Sequence, residues 1–215
     1  MACLEDVLDL YAEPYDAAAP VVCFDEVPVQ LIGETRTALP MRPGIPKRVD
    51  YEYIRNGTAN VFVMVEPLGG WRHLCVTERR ANADFAAQMR WLVDEGYPTA
   101  PRIRVVLDNL STHKPAALYE TYPAAEARRI VRKLEFHYTP KHGSWLNMAE
   151  LELSVLARQG LDQRIPTVVR LREILAAYET RRNTAKATIH WQFTNEKARV
   201  KLHRLYPIKS TVTDV

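Results

Sequence analysis

Three observations predict an α/β domain built on a mixed sheet with helices on both faces. Short β-branched and apolar runs recur at 21–29, 59–66, 71–77 and 102–108. The first three follow one another with no helical stretch between them. After them, apolar residues at helical spacing alternate with strands. A hairpin group followed by alternating helix and strand gives antiparallel and parallel pairing in one sheet.

Residues 1–19 read as a short helix and a linker that leads to Pro20. The run from Val21 to Val29 is the first strand. Residues 33–58 carry Pro40, Pro43 and Pro46 among Arg36, Arg42, Lys47 and Arg48, which predicts a long basic loop. Asn56-Gly57 marks a turn near its end. Residues 59–66 and 71–77, separated by Gly69-Gly70, form a hairpin. Residues 83–94 place Phe85, Met89 and Leu92 on one helical face, with Asn82 as N-cap.

Residues 102–108 form a strand that ends in an acid. A helix is predicted over 124–134, a short strand over 135–139, and helices over 144–158, 167–180 and 194–205. In the second of these, Val168, Leu171, Leu175 and Tyr178 share a face. The resulting order is that of a ribonuclease-H-like fold. The expected division is a linker at 1–19, a catalytic domain at 20–207 and a tail at 208–215.

The 215 residues are 47% hydrophobic and 26% charged, ordinary for a globular domain that needs no staples. No run of about 18 apolar residues occurs, so no membrane partner is expected. The start carries Glu5, Asp6 and Asp9 and no basic residue before Arg36, unlike a secretory signal. Cys3, Cys23 and Cys75 are odd in number and widely spaced, which points to a reducing cytosol. Cys23 and Cys75 lie in apolar runs and read as core residues.

The net charge of +3 is unevenly spread. Residues 1–35 hold eight acids and no Lys or Arg, whereas 180–210 hold eight Lys or Arg against Glu196 alone. A basic tail suits a polyanion, although charge alone favours a solvated helix face.

Three acids stand out. Asp25 interrupts an apolar strand, where a carboxylate is costly unless paired or metal-bound. A strand pleat that turns it to solvent is the plainer reading for one acid alone. Asp108 closes the run from Ile103 to Leu107, at the strand end where α/β proteins collect ligands. An Asp that starts a turn is equally common there. In the helix at 144–158 the expected core stripe is Leu146, Ala149, Leu153 and Leu156, flanked by Glu150 and Glu152. Glu150 shares a polar strip with Asn147, Ser154 and Arg158, which leans toward Glu150 without deciding it. Three carboxylates together suit two hard ions, Mg2+ or Mn2+, and phosphodiester chemistry.

The stretch Tyr138-Thr139-Pro140-Lys141-His142-Gly143-Ser144-Trp145-Leu146-Asn147-Met148-Ala149-Glu150 resembles the signature before the catalytic Glu of mariner-like bacterial insertion-sequence transposases. Val106-Leu107-Asp108-Asn109-Leu110-Ser111-Thr112-His113 and Cys23-Phe24-Asp25-Glu26 resemble the same family's second-Asp and first-Asp motifs. The C-terminal Arg182-Asn183, Ile189-His190-Trp191-Gln192-Phe193-Thr194 and Ala198-Arg199-Val200-Lys201-Leu202 extend the likeness to about residues 20–207. The resemblance implies a ribonuclease-H-like DDE core with two divalent ions that cleaves element ends and joins them to target DNA, typically at a TA step. It places the catalytic and metal-binding acids on Asp25, Asp108 and Glu150, with Asn109, His113 and Asn147 in support. His142, at the mouth of the catalytic helix, is read from its position as a further supporting residue, with a solvated loop His as the rival reading.

Lys141, the loop cations Arg36, Arg42, Lys47 and Arg48, and the tail cations Arg181, Arg182, Lys197, Arg199 and Lys201 are the expected DNA contacts. Ser144 is expected to cap the catalytic helix. Trp145 and Trp191 read as core or interface residues rather than base-stacking platforms. About 20 residues precede the first strand, whereas full-length relatives carry a helix-turn-helix there. The expectations are therefore a separate helix-turn-helix chain or a truncated copy. The alternative function is a catalytically silent fragment that binds DNA or a partner. A cytoplasmic, nucleoid-associated place and a homodimer are further expectations.

Overall fold

A computed structural model describes residues 1–37, 39–46, 48 and 50–206. Lys47 and the tail at 208–215 lie outside the described residues. Five strands form one sheet: β1 (Val21–Glu34), β2 (Tyr53–Glu66), β3 (Trp71–Thr77), β4 (Ile103–Leu107) and β5 (Leu134–Tyr138). Their order is β3-β2-β1-β4-β5. β1 pairs antiparallel with β2, and β2 with β3; β1 pairs parallel with β4, and β4 with β5.

Strand alternation sorts the core onto two faces. Phe24, Phe62, Met64, Val105 and Leu107 meet helices α2 (Asn82–Trp91), α3 (Pro115–Thr121) and α4 (Ala124–Val131) on one side. Val61, Val63, Val65 and Leu74 meet α5 (Met148–Leu156) and α6 (Val168–Thr184) on the other. On that same face Cys23 and Val106 meet α1 (Ala2–Ala12), the start of α5 and α7 (Asn195–Lys201). The mixed sheet with helices on both faces is thus the one the sequence predicts.

Several expectations change in detail. The loop predicted over 33–58 is shorter, because β1 runs to Glu34 and β2 starts at Tyr53. Pro28 sits inside β1 without harm, since β4 pairs β1 only as far as Cys23 and leaves that edge of the strand unclaimed. Asn56-Gly57 is not a turn but the bulge that opposes Leu31, where the register shifts between Gln30 and Ile32. Gly57 has φ 96°, which a residue with a Cβ rarely adopts. The arm formed by the outer halves of β1 and β2 is tied down by Arg164. Its guanidinium donates to Glu34 Oε2 at 2.7 Å and to the carbonyls of Glu52 and Asp50.

Helix α3 is absent from the sequence expectation; Pro115 at its first turn is its one signal. The N-cap of α2 is Ala81, not Asn82, and the Asp84 carboxylate accepts the Ala81 N–H at 2.8 Å. The helix predicted at 144–158 begins at Met148, after a 3-10 turn over Ser144–Leu146. Its N-cap is Asn147 rather than Ser144. Cys23 is buried and Cys75 half-buried, and both are free thiols. No described helix is long and apolar enough to cross a membrane.

Candidate active site

The register of the sheet brings the first two acids together. Val21, Val22 and Cys23 of β1 lie beside Arg104, Val105 and Val106 of β4. Two residues further along each chain, Asp25 stands level with Asp108, and neighbouring strands are about 4.8 Å apart. Asp25 lies on the same face as Cys23, two positions earlier. That face packs against Met148 and Ala149 of α5. Glu150 is exposed in the first turn of that helix.

Asp25 feels all of these charges. Burial pushes its carboxyl up to about 7, and the charges of Glu150, Glu26 and Asp108 push the same way against the Glu26 N–H bond. Its Oδ1 accepts that backbone N–H at 2.9 Å. Asn147, fully buried, donates from Nδ2 to the Phe24 carbonyl at 2.8 Å and to Asp25 Oδ2 at 3.4 Å. Its Oδ1 accepts the Ala149 N–H at 3.1 Å. One amide therefore caps α5 and fixes the helix to the strand beneath it.

His113 performs the matching task for Asp108. It is 1% exposed and wedged edge-on against Phe24. Its Nδ1 lies 2.5 Å from Asp108 Oδ1 and its Nε2 3.1 Å from Glu26 Oε2. Burial works against its charge, but the hydrogen bonds to Asp108 and Glu26 outweigh it and push it up to about 9. Arg80 Nη1 lies 3.8 Å from the other Glu26 oxygen. Sequence reading missed both Glu26 and Arg80. Alternation in β1 puts Glu26 on the face opposite Asp25, and that alternation was the available signal.

Glu152 is separated from this group. It is 1% exposed, and Tyr178 donates to its Oε1 at 2.6 Å. Arg182 grips both its oxygens at 2.9 Å, and Arg72 Nε lies 3.0 Å away. Burial raises the Glu152 carboxyl, but Arg182, Tyr178 and Arg72 overcome it and hold it below the usual range. The expected core stripe shifts accordingly, with Met148 and Glu152 buried and Leu153 only half-buried.

Lys141 and His142 line an open cleft together with Asp108, Asn109 and Ser144. His142 has φ 62°, so its loop turns sharply just before the helix. Arg42 and Arg48 lie at the end of the arm, joined to Ile45 and Leu39 by isolated bridges. Arg36 stands 3.5 Å from Asp50.

The C-terminal cations are less available than their charge suggests. Arg182 is turned inward to Glu152. Arg199 pairs with Glu5 at 2.7 Å, Lys197 donates to the Gln192 carbonyl and Arg181 to Gln159. Lys201 Nζ sits 5.9 Å from the Phe193 ring.

Carboxylate oxygens gathered at one point suit a hard divalent cation. As the side chains stand, no three His, Cys, Asp or Glu among the described residues are close enough to share one. Asp108 is held by His113, and Asp25 by the Glu26 N–H and Asn147.

Comparison with known proteins gives the same reading of the fold. No curated protein matches the chain by sequence. The Mos1 mariner paired end complex with Mn is similar in structure, with TM-score 0.55 and 17% identity over 86% of this chain and 57% of that one. The Mos1 strand transfer complex gives TM-score 0.55 and 17% identity, over 86% and 56%. The catalytic domain of Mos1 mariner transposase gives TM-score 0.53 and 12% identity, over 86% and 89%. The chain thus spans little more than half the length of the Mos1 chains in those complexes. A family model described as DDE superfamily endonuclease matches residues 20–172, a span that contains Asp25, Asp108 and Glu150. With that model covering well over half of its length, the chain belongs to the DDE endonuclease superfamily.

Proposed function

We propose that this chain is the catalytic domain of a transposase that cleaves DNA at the ends of an insertion sequence and joins them to target DNA. Asp25, Asp108 and Glu150 hold its divalent cations, Mg2+ or Mn2+, as a pair. The observation that supports this most is the shared register of Asp25 and Asp108 beneath the helix that carries Glu150. When bound, such ions activate an attacking oxygen and stabilise the leaving one at phosphorus.

The chain's own residues prepare that site. Asn147 sets the height of α5 over β1 and steers Asp25. His113 orients Asp108 through Nδ1 while its other nitrogen is held by Glu26. Glu150, exposed on the first helical turn, is near enough for its charge to act on Asp25. Lys141 and His142 beside the cleft meet the phosphates of the bound strand. The partners are therefore DNA, a second copy of the chain, and a helix-turn-helix segment or chain that reads the element ends.

The test is nicking of an end-labelled duplex in Mg2+ or Mn2+. Asp108→Asn keeps the shape and removes a charged ligand. It is expected to fold normally and to lose at least 100-fold in cleavage rate, about 2.7 kcal/mol of barrier. Cleavage by purified Asp108→Asn at the wild-type rate would reassign the ligand.

A further inference from the structure

We propose that Trp145 is a stacking platform for an unpaired nucleobase of the strand held at Asp25, Asp108 and Glu150. The proposal rests on the transposase reading above. Trp145 is 46% exposed, although its neighbour Leu146 is fully buried. The 3-10 turn over Ser144–Leu146 causes this, since it drives Leu146 into the core beside Cys23 and Val106 and turns the preceding side chain outward.

The indole is held from behind. Its centroid lies 6.4 Å from Trp191, with the rings 21° apart, and 5.6 Å from Phe193, with those rings at 67°. Trp191 and Phe193 are half-buried, and Trp145 is the most exposed ring of the three. A backed, half-exposed ring is a rigid surface, and apolar area left exposed in this way is what base stacking uses.

Position identifies the occupant. Ser144, one residue before, lines the same cleft as Asp108. Asn147, two residues after, reaches Asp25 with its side-chain nitrogen. Two residues of chain span at most about 7 Å, so the backbone that carries the ring lies beside the segment that reaches the acids. Lys141 and His142 on the preceding loop are exposed, and Lys201 sits over Phe193 behind the ring. Cations around an exposed aromatic suit a phosphate backbone with a base turned out of it, whereas an apolar protein partner would leave those charges unmet.

The full chain would be tested in metal-free buffer, where no cleavage occurs. Two probes are compared by fluorescence anisotropy: a blunt duplex, and the same duplex with a short unpaired 3′ extension carrying 2-aminopurine. Wild type is expected to bind the extended probe about tenfold more tightly and to quench the 2-aminopurine emission. Trp145→Phe should keep most of both effects. Trp145→Ala should abolish the preference and the quenching while its thermal midpoint stays near wild type. Equal preference and quenching in Trp145→Ala, with both probes bound, would overturn the platform and leave the transposase reading intact. Failure of wild type to bind either probe would sink both. A Trp145→Ala change in self-association with no change toward the extended probe would make the ring a protein contact and overturn the proposal.

Discussion

Glu150 and Glu152 are two residues apart on one helix, yet their surroundings give them opposite tasks. Glu150 is exposed and costs the fold nothing to alter. Glu152 is buried, pairs with Arg72 and Arg182 and accepts from Tyr178. Glu150→Gln should therefore leave the thermal midpoint unchanged and abolish metal-dependent cleavage. Glu152→Gln should cost about 3–5 kcal/mol of stability, because fully buried Arg72 loses its carboxylate. Cleavage by whatever Glu152→Gln protein remains folded should be near normal. Melting curves and single-turnover rates on both variants decide it, and equal rate losses at equal stability would merge the two roles. The same carboxylate gives a pH signature. Its folded pKa lies below the ordinary value of 4.5. The stability it contributes is therefore full above about pH 4.5 and drains away as pH falls through the lower, folded value. Wild type should lose stability in that acid window, and Glu152→Gln should show a flatter slope there; identical slopes would contradict the assignment.

The elements were legible where apolar periodicity was strong. β3 matches its sequence bounds, and β2, β4, β5 and α6 fall within a few residues or are extended at one end. The acids on β1 and after β4 were visible as charges that end or interrupt apolar runs. What sequence could not give is tertiary in origin. The outer half of β1 alternates buried and exposed residues and carries Pro28, so it shows no continuous apolar run, and the Asn56-Gly57 signal reads as a turn when it is a bulge. Helix α3 has seven residues, too few for a period to emerge. The polar strip leans to Glu150 and the family resemblance places the acid there, but the engagement of Glu152 needs the fold, which brings Arg72 and Arg182 to it from β3 and α6. The exposure of Trp145 required the 3-10 turn. Arg164 is similar, since only the fold shows that it joins the α5–α6 connection to the arm. Arg164→Ala should speed amide exchange at 50–54 and leave the core strands β1 and β4 protected. Unchanged exchange in the arm would mean that the β1–β2 ladder alone holds it.

At the scale of the molecule, charge is arranged so that much of it cancels internally. The acidic N-terminal segment meets the basic remainder: Glu5 pairs with Arg199, Asp6 with His137, Glu13 with Arg104, and Asp9 accepts from Asn195. The basic tail is therefore partly a clamp for α1, and net charge overstates what it offers to DNA. Among the described residues Arg42, Arg48 and Lys141 form no ion pair with a carboxylate, and these should carry the phosphate contacts. DNA binding by this chain should fall steeply with salt, because each phosphate contact releases counterions and contributes about 0.9 to the slope of log K against log salt. Replacing both Arg42 and Arg48 by Ala should lower that slope by about 1.8 if both touch phosphate. Arg199→Ala should leave the slope unchanged. Because its pair with Glu5 is solvent-exposed, that variant should keep a thermal midpoint close to wild type. Anisotropy titrations of one duplex at several salt concentrations measure all three slopes. A slope reduced by Arg199→Ala and untouched by the arm variant would move the DNA path from the arm to the C-terminal helix.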